Sequence, residues 1–280
     1  MPSVVFGKTG QQVTRVGLGG EGILRTYDKS AQAIEVIQEA ITRGITYFDS
    51  AQAYANSERY YGSVWTESPQ VRSTIFQASK SASRHKEGAR TDLENTFLNM
   101  GIRYLDLWQI HDVRTEEDLH TISGPGGALE AFLEAKSSGT VRFIGVTGHH
   151  DPEILTRAVQ DWPVDSVMMP VNPVEGILGG FLTSTLPAAQ KKGIAIIGMK
   201  ILGASYYLQP KLEITATALI RFALSYDITV AIVGCSNTRE VKALADAGRS
   251  LDPLSQKEKT DLMRRLEPYT RQLAFYRGVL

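Results

Sequence analysis

The chain has 280 residues, of which 42% are apolar and 21% are charged, so it can bury the core of a globular domain and is not composed like a disordered chain. Lys plus Arg and Asp plus Glu both number 30, and the formal charge of zero gives no basic field for nucleic acid or an anionic membrane. A single cysteine, Cys235, excludes an internal disulfide, and no stretch approaches the roughly 20 apolar residues of a membrane span. We expect a cytoplasmic protein, monomeric by default, that acts on a small molecule without nucleic-acid or membrane partners.

Short β-rich runs alternate with amphipathic stretches along the chain. The strand-like runs are residues 14–20, 45–51, 73–80, 104–113, 141–148, 165–172, 194–202 and 229–236. Between them, the spacing predicts helices over 30–44, 89–101, 127–139, 152–162, 186–193, 216–227 and 238–248, and Gly44 stands where a helix C-terminal cap is expected. Apolar strands of this kind are typical of parallel pairing buried on both faces, and eight such units predict a (β/α)8 TIM barrel.

The remaining segments fit one domain over residues 1–280. Residues 114–127 are predicted to form a long loop at the barrel mouth, and residues 253–269 an extra C-terminal helix. The main competing fold is a doubly wound open sheet. Against it, the glycines of GLGGEG do not have the spacing of a dinucleotide-binding fingerprint.

Four polar side chains follow strand-like runs: Asp49 and Tyr54 in FDSAQAY, Lys80 at the end of TIFQASK, and His111 in LDLWQIHDV. A barrel places the C-terminal ends of its strands together, so it would gather these groups at one mouth. Lys80 is expected to lower the pKa of the Tyr54 phenol, and Asp49 to hold the ammonium in place. His111 can orient a substrate oxygen while Tyr54 protonates it. No side chain supplies hydride, so reduction of a carbonyl requires a nicotinamide.

The motifs D-S-A-x-x-Y, strand-end S-K and strand-end I-H, in this order, resemble the aldo-keto reductases. The similarity runs from GKTGQQVTRVGLG through GTVRFIGVT to GCSNTREV and covers nearly the whole chain. The resemblance implies a TIM barrel, a catalytic tetrad of Asp49, Tyr54, Lys80 and His111, and NADP(H) or NAD(H) lying across the barrel mouth. It also implies interconversion of a carbonyl (aldehyde, ketone or sugar) and an alcohol.

The cofactor contacts implied by the resemblance depart from the family pattern. Where members often carry Ser-Asn after the fifth barrel strand, this chain has Thr147, Gly148 and His149, and the Gln and stacking Tyr of the sixth strand are replaced by Met168 and Val171. The seventh strand resembles the pyrophosphate-binding stretch at Met199, Lys200, Leu202 and Gly203. The eighth strand and following helix offer Gly234, Cys235, Ser236, Asn237, Arg239 and Glu240 for the adenosine end.

The choice between the two dinucleotides depends on this last segment. Arg239 and Lys242 are cations suited to a 2′-phosphate, whereas Glu240 would repel that phosphate and accept from a ribose hydroxyl instead. The sequence expectation is that NADP(H) is favoured over NAD(H).

Other interpretations stay open at this stage. Singly, Asp49 fits a helix cap, Lys80 a surface residue and His111 a hydrogen-bonded core histidine. The adjacent His149 and His150 point to opposite faces, which disfavours a metal site, and no base accompanies Cys235. Alternative functions are a cofactor-binding regulatory subunit on the same scaffold, or a non-redox isomerase or lyase with Lys80 as a Schiff-base nucleophile. Substrate identity and reaction direction are not encoded in a readable motif.

Overall fold

The computed structural model describes residues 1–250 and 252–280. Its strands are β1 (Ser3–Val5), β2 (Gln12–Thr14), β3 (Val16–Gly22), β4 (Tyr47–Asp49), β5 (Phe76–Ser81), β6 (Leu105–Ile110), β7 (Val141–Thr147), β8 (Ser166–Pro170), β9 (Ala195–Met199) and β10 (Val230–Cys235). Strands β3 to β10 pair in parallel in chain order, and β10 pairs with β3 to close a barrel. The predicted TIM barrel is confirmed.

Helices alternate with the barrel strands and cover their outer face. They are α1 (Ser30–Thr42), α2 (Ser57–Glu67), α4 (Lys86–Met100), α6 (Ala128–Ser137), α7 (Pro152–Asp161), α9 (Leu186–Lys192), α10 (Ala216–Leu224) and α11 (Thr238–Ser250). Helix α1 buries Ala33, Val36, Ile37 and Ala40 at helical spacing, and Gly44 ends it with a φ of 77°, a conformation that glycine adopts without a Cβ clash. This segment follows the sequence prediction.

Further helices lie outside the barrel repeat: α3 (Pro69–Arg72), α5 (Glu116–Ser123), α8 (Pro173–Leu178), α12 (Gln256–Leu266) and α13 (Thr270–Leu273). The extra C-terminal helix is confirmed as α12, and α13 follows it. The prediction of a loop over 114–127 is wrong for its centre, which forms α5. Thr115 caps this helix by accepting from the Asp118 N–H, and Leu119 and Ile122 are buried beneath it.

A hairpin that the sequence analysis did not anticipate closes the N-terminal end of the barrel. Strands β1 and β2 pair antiparallel, and Phe6 and Val13 join the cluster of side chains inside the barrel. The Phe6 ring lies 4.8 Å from the Phe76 ring, centroid to centroid. Because this end is filled by side chains, the cavity of the barrel opens at the C-terminal ends of the strands.

Among the described residues, no helix combines the length and the apolar composition needed to cross a lipid bilayer.

Candidate active site

A buried ion pair stands at the C-terminal ends of β4 and β5. Lys80 Nζ donates to Asp49 Oδ2 at 2.6 Å and to the Ser50 carbonyl oxygen at 2.7 Å, and both charged residues are only 1% exposed. Burial lowers the pKa of Lys80 and raises the pKa of Asp49, while the opposite charge of each partner counters the shift. The pair therefore holds the ammonium beneath the barrel mouth in a fixed position.

Tyr54 lies above this pair, in the turn that leads from β4 to α2. Its ring centroid is 4.8 Å from Lys80 Nζ, and its ring meets the His111 ring edge-on at a centroid distance of 5.5 Å. His111 follows β6, and its backbone N–H donates to the Ser81 carbonyl oxygen at 2.8 Å. The structure thus brings together the four side chains that the sequence analysis selected, from three separate strand ends.

The electrostatics of Tyr54 differ from the sequence expectation. The pKa of its phenol is raised well above the usual value, first by burial and then by the negative charge of Asp49. The expected lowering of this pKa by Lys80 is therefore wrong, because desolvation of the phenolate and the negative charges of Asp49 and Glu21 outweigh the opposing positive charge of Arg25. Tyr54 is consequently protonated at neutral pH, as a proton donor must be.

His111 is held in the neutral form. Burial lowers its pKa to about 3, and the nearby positive charge of Lys80 acts in the same direction. A neutral imidazole keeps one N–H that can donate to an oxygen, and it does not compete with Tyr54 as an acid. The arrangement separates one group that gives a proton from another that orients its acceptor.

The four side chains line one cavity of about 1080 Å³, slightly larger than the roughly 300–1,000 Å³ that is usual for small-molecule sites. Most of the residues expected to contact a cofactor line it as well: Thr147, His149, Met168, Met199, Lys200, Leu202, Gly203, Gly234, Cys235, Ser236 and Glu240. Gly148, Asn237 and Arg239 are not part of the lining. A Cβ on Gly148 would instead contact the Val113 carbonyl oxygen and Leu155.

Residues after β6 and β7 form one wall of the cavity. Thr147 Oγ1 accepts from the Asp112 N–H at 2.8 Å, which fixes the turn that carries His111. His149 Nδ1 lies 3.1 Å from the Tyr276 carbonyl oxygen, and its Nε2 lies 3.4 Å from Asp112 Oδ1. Both ring nitrogens of His149 therefore face oxygen atoms of the protein.

Side chains from the ends of β9 and β3, the two strands that flank β10, approach each other at the cavity. Lys200, which has a φ of 54°, places its Nζ 3.6 Å from Glu21 Oε1. Glu21 also accepts from Arg25 Nη1 at 3.0 Å. Met168 on β8 reaches the cavity, whereas Val171, which follows this strand, is buried against Gly198. The β8 strand therefore offers no aromatic ring to the cavity.

The Glu240 carboxylate caps the N terminus of its own helix, α11. The Ser236 N–H donates to Glu240 Oε2 at 2.7 Å, the Asn237 side-chain amide donates to Oε1 at 2.9 Å, and Asn237 Oδ1 accepts from the Glu240 N–H at 3.1 Å. This is a reciprocal capping arrangement. Lys242 points to Asp246, with the two charged atoms 2.7 Å apart. A negative charge thus occupies the helix end that the sequence analysis assigned to an anion.

The C-terminal tail completes the cavity. Tyr276 Oη donates to Glu175 Oε1 at 2.8 Å and accepts from Asn172 Nδ2 at 3.0 Å, while its backbone oxygen faces His149. Phe275 and Tyr276 both line the cavity. No strand or helix pattern in the sequence marks these two residues. Glu21 and Arg25 were also missed, although Glu21 near the end of β3 and Arg25 shortly after it stand where a barrel places its site residues.

The other candidate sites gain no support. Within residues 1–250 and 252–280, no three His, Cys, Asp or Glu side chains are grouped as metal ligands. Cys235 is buried, and burial raises the pKa of its thiol to about 12, so it is not a nucleophile at neutral pH.

Comparison with known proteins gives the family. The model of the Aldo/keto reductase family matches residues 15–214. The chain belongs to the aldo-keto reductase family. Curated relatives include probable aldo-keto reductase 1 of Glycine max, 26% identical over 222 residues that cover 73% of this chain and 60% of the relative. Aldo-keto reductase YhdN of Bacillus subtilis (strain 168) is 30% identical over 183 residues, 60% of this chain and 53% of the relative. The chain thus spans little more than half the length of these relatives.

Solved aldo-keto reductase structures share the fold. The holo form of AKR11C1 from Bacillus halodurans superposes with a TM-score of 0.77 at 20% identity, covering 95% of this chain and 96% of that one. The thermostable aldo-keto reductase Tm1743, in complex with the inhibitor epalrestat, gives a TM-score of 0.75 at 23% identity, covering 95% and 100%. At these identities the likeness establishes the (β/α)8 barrel.

Proposed function

We propose that residues 1–280 form one catalytic domain that interconverts a carbonyl compound and an alcohol with NAD(P)(H). The observation that carries this proposal is the buried Lys80–Asp49 pair beneath the Tyr54 ring, with His111 at the ring edge, in a single cavity. Membership of the aldo-keto reductase family supports the same reaction class. Regulatory binding on the same scaffold does not require a proton donor beside an orienting imidazole.

The residues divide the proton chemistry between them. Tyr54 gives its proton to the carbonyl oxygen, and the Lys80 ammonium stabilises the phenolate that remains. Asp49 keeps Lys80 charged and in place, and the N–H of neutral His111 orients the substrate oxygen. The nicotinamide, when bound, supplies the hydride to the carbon. Because Lys80 is committed to Asp49 and to the Ser50 carbonyl, it is poorly suited to act as a Schiff-base nucleophile.

The cavity has features that fit a dinucleotide. Asp49 Oδ1 is buried and has no hydrogen-bond partner in the described part of the chain, so it can accept from a ribose hydroxyl. Lys200 offers a cation for the diphosphate. We assign further contacts to the remaining lining residues Thr147, His149, Met168, Met199, Leu202, Gly203, Gly234, Cys235, Ser236 and Glu240. Thr147 and His149 are the candidates for the carboxamide.

The geometry of α11 bears on the choice of dinucleotide. The Glu240 carboxylate stands at the helix end, where it would repel a 2′-phosphate, and Lys242 is engaged by Asp246. Arg239 lies outside the cavity lining. These contacts support NAD(H) over NADP(H), against the preference inferred from the cationic side chains in the sequence.

Replacement of Glu240 by glutamine tests this point. Glu240→Gln keeps a hydrogen-bonding cap and removes the charge, so we expect the ratio of the NADPH dissociation constant to the NADH dissociation constant to fall about five- to tenfold. Fluorescence titration of both dinucleotides measures it. Glu258→Gln is the matched control, because Glu258 takes the same place in the cap of α12. A ratio that Glu240→Gln leaves unchanged would show that the carboxylate does not face the phosphate.

The reaction itself is tested by combining cofactor binding with turnover. We expect titration with NADH or NADPH to change the fluorescence of the protein or of the bound dinucleotide. We also expect the protein to catalyse multiple turnovers of at least one member of a panel of aldehydes, ketones and sugars. Tight cofactor binding without turnover on the whole panel would favour the regulatory alternative.

A further inference from the structure

Arg25 stands beside the candidate proton donor and has no role in the proposed proton chemistry. It ends the short 3-10 turn Ile23–Arg25 that follows β3, and its guanidinium carbon lies 4.9 Å from the centroid of the Tyr54 ring. The same cavity is lined by both residues, and half of the Arg25 side chain, 50%, is exposed to it and to solvent. A small ligand bound beside Tyr54 in this cavity therefore lies within reach of Arg25.

Most of the hydrogen-bonding capacity of Arg25 is unused. Nη1 donates to Glu21 Oε1 at 3.0 Å, and among the described residues neither Nε nor Nη2 has an acceptor. A guanidinium carries five N–H donors in a planar fork, and this fork matches the two oxygens of a carboxylate. The free edge of Arg25 is thus available to an oxygen-bearing anion from outside the protein.

Near Tyr54, two cations share a single acid. Glu21 is shared by two cations, Arg25 and the more distant Lys200, while Lys80 and Asp49 neutralise each other. On the opposite wall, Arg84 is paired with Asp118 and Arg114 with Asp112. Glu240 also lines the cavity, and its carboxylate accepts from the Ser236 N–H and the Asn237 side-chain amide. The charges of the lining therefore balance as a whole, and what Arg25 offers an anion is the free edge of its guanidinium.

We infer that Arg25 binds a carboxylate of the substrate, so that the substrate class is a carbonyl acid with the carboxylate a short chain or one aromatic ring away from the carbonyl. This inference rests on the proposed carbonyl–alcohol interconversion. Arg25 holds the acid group, and Tyr54 contacts the carbonyl oxygen at the other end. Glu21 limits the attraction, because its carboxylate lies on the same side and repels the anion.

The kinetic test compares two aldehydes that differ by one charged group, benzaldehyde and 4-carboxybenzaldehyde. For the wild-type protein we expect a higher kcat/KM with the carboxylated aldehyde. Arg25→Met is expected to lower the ratio of the two kcat/KM values about tenfold or more, mainly through KM, and Glu21→Gln to raise it. Arg114→Met is the matched control: it removes another cation that lines the cavity, and the ratio is expected to stay as in the wild type. A ratio that Arg25→Met leaves unchanged overturns the inference.

A binding measurement separates this inference from the proposed reaction. Calorimetric titration with 4-carbamoylbenzoate and with benzamide uses amides that imitate the two aldehydes and need no turnover. The wild-type protein should bind the carboxylated amide more tightly, and Arg25→Met should remove the difference. If this preference is present but neither aldehyde is reduced, the proposed reaction fails and the Arg25 site stands. Equal binding of the two amides by the wild type overturns the Arg25 site.

Discussion

Replacing Tyr54 by phenylalanine is expected to lower kcat about 10²- to 10⁴-fold with every carbonyl substrate, which is the usual contribution of a general acid. The ring and its contacts with Lys80 and His111 are kept, so the cavity stays intact and only the proton is lost. The dissociation constant for the dinucleotide should change little, because Asp49 and Lys200 are untouched. Steady-state kinetics and fluorescence titration on the same preparation measure both quantities.

Tyr206→Phe is the control for this substitution. Tyr206 is 61% exposed and, although it packs against Phe275, is not itself part of the cavity lining, so loss of its hydroxyl should leave kcat at the wild-type value. Wild-type turnover by Tyr54→Phe would reject Tyr54 as the proton donor. Loss of both turnover and dinucleotide binding would instead indicate that the substitution disturbs the cavity.

Replacing Arg277 by methionine is expected to lower the free energy of unfolding by about 3–5 kcal/mol at pH 8, since it leaves a buried carboxylate without its partner. Arg277 and Glu175 form an ion pair between the C-terminal tail and α8, and their side chains are 5% and 0% exposed. Arg277 also contacts the Gly179 carbonyl oxygen, and its guanidinium carbon lies 5.1 Å from the Phe181 ring centroid. The deficit is measured by urea unfolding of both proteins.

The deficit should shrink at pH 5, and the sign follows from Glu175. Burial raises the pKa of Glu175, and the Arg277 charge counters that rise, so the pKa climbs further in Arg277→Met. A carboxyl whose pKa is higher in the folded state takes up a proton on folding. Protonation of this carboxyl then stabilises the folded state fully at pH values below the pKa of the unfolded chain. The stabilisation is lost as the pH rises through the pKa of the folded state. Protonation at pH 5 therefore relieves the unpaired charge.

Arg264→Met provides the matched control in the same part of the chain. Arg264 pairs with Asp261 on the surface of α12, where the two side chains are 68% and 37% exposed, and the expected loss is below about 1 kcal/mol at either pH. If Arg277→Met lost no more stability than Arg264→Met, or lost the same amount at pH 5 and pH 8, the buried Arg277–Glu175 ion pair would not be what holds the C-terminal tail in place.

The barrel and the central part of the site could be predicted from the sequence. Apolar runs such as residues 76–81 and 105–110 are buried along their whole length in a parallel sheet, and the alternation of strands with amphipathic helices predicts closure. A barrel brings the ends of its strands to one mouth whatever the details of packing. The position of Asp49, Lys80 and His111 relative to their strands was therefore enough to predict that they meet.

Other features could not be read from local pattern. Strands β1 and β2 have three residues each, too few for a periodicity to emerge, and α5 sits inside a segment rich in polar residues and glycine. Tyr276 reaches the cavity through contacts with Asn172 and Glu175, more than one hundred residues earlier in the chain. No short-range signal encodes such a contact.

What the sequence determined by itself is the barrel and the identity of the groups at its mouth, because hydrophobic period and strand order fix both. The protonation states of those groups, and the residues with which they pair, depend on the tertiary structure. Burial raises the pKa of Tyr54, whereas the sequence predicted that it would fall. The Glu240 carboxylate caps its own helix, and Arg25 keeps unused N–H donors beside the Tyr54 phenol. The physical reason is that desolvation and Coulomb energy depend on burial and on distances between side chains from separate elements, which are set only when the chain has folded.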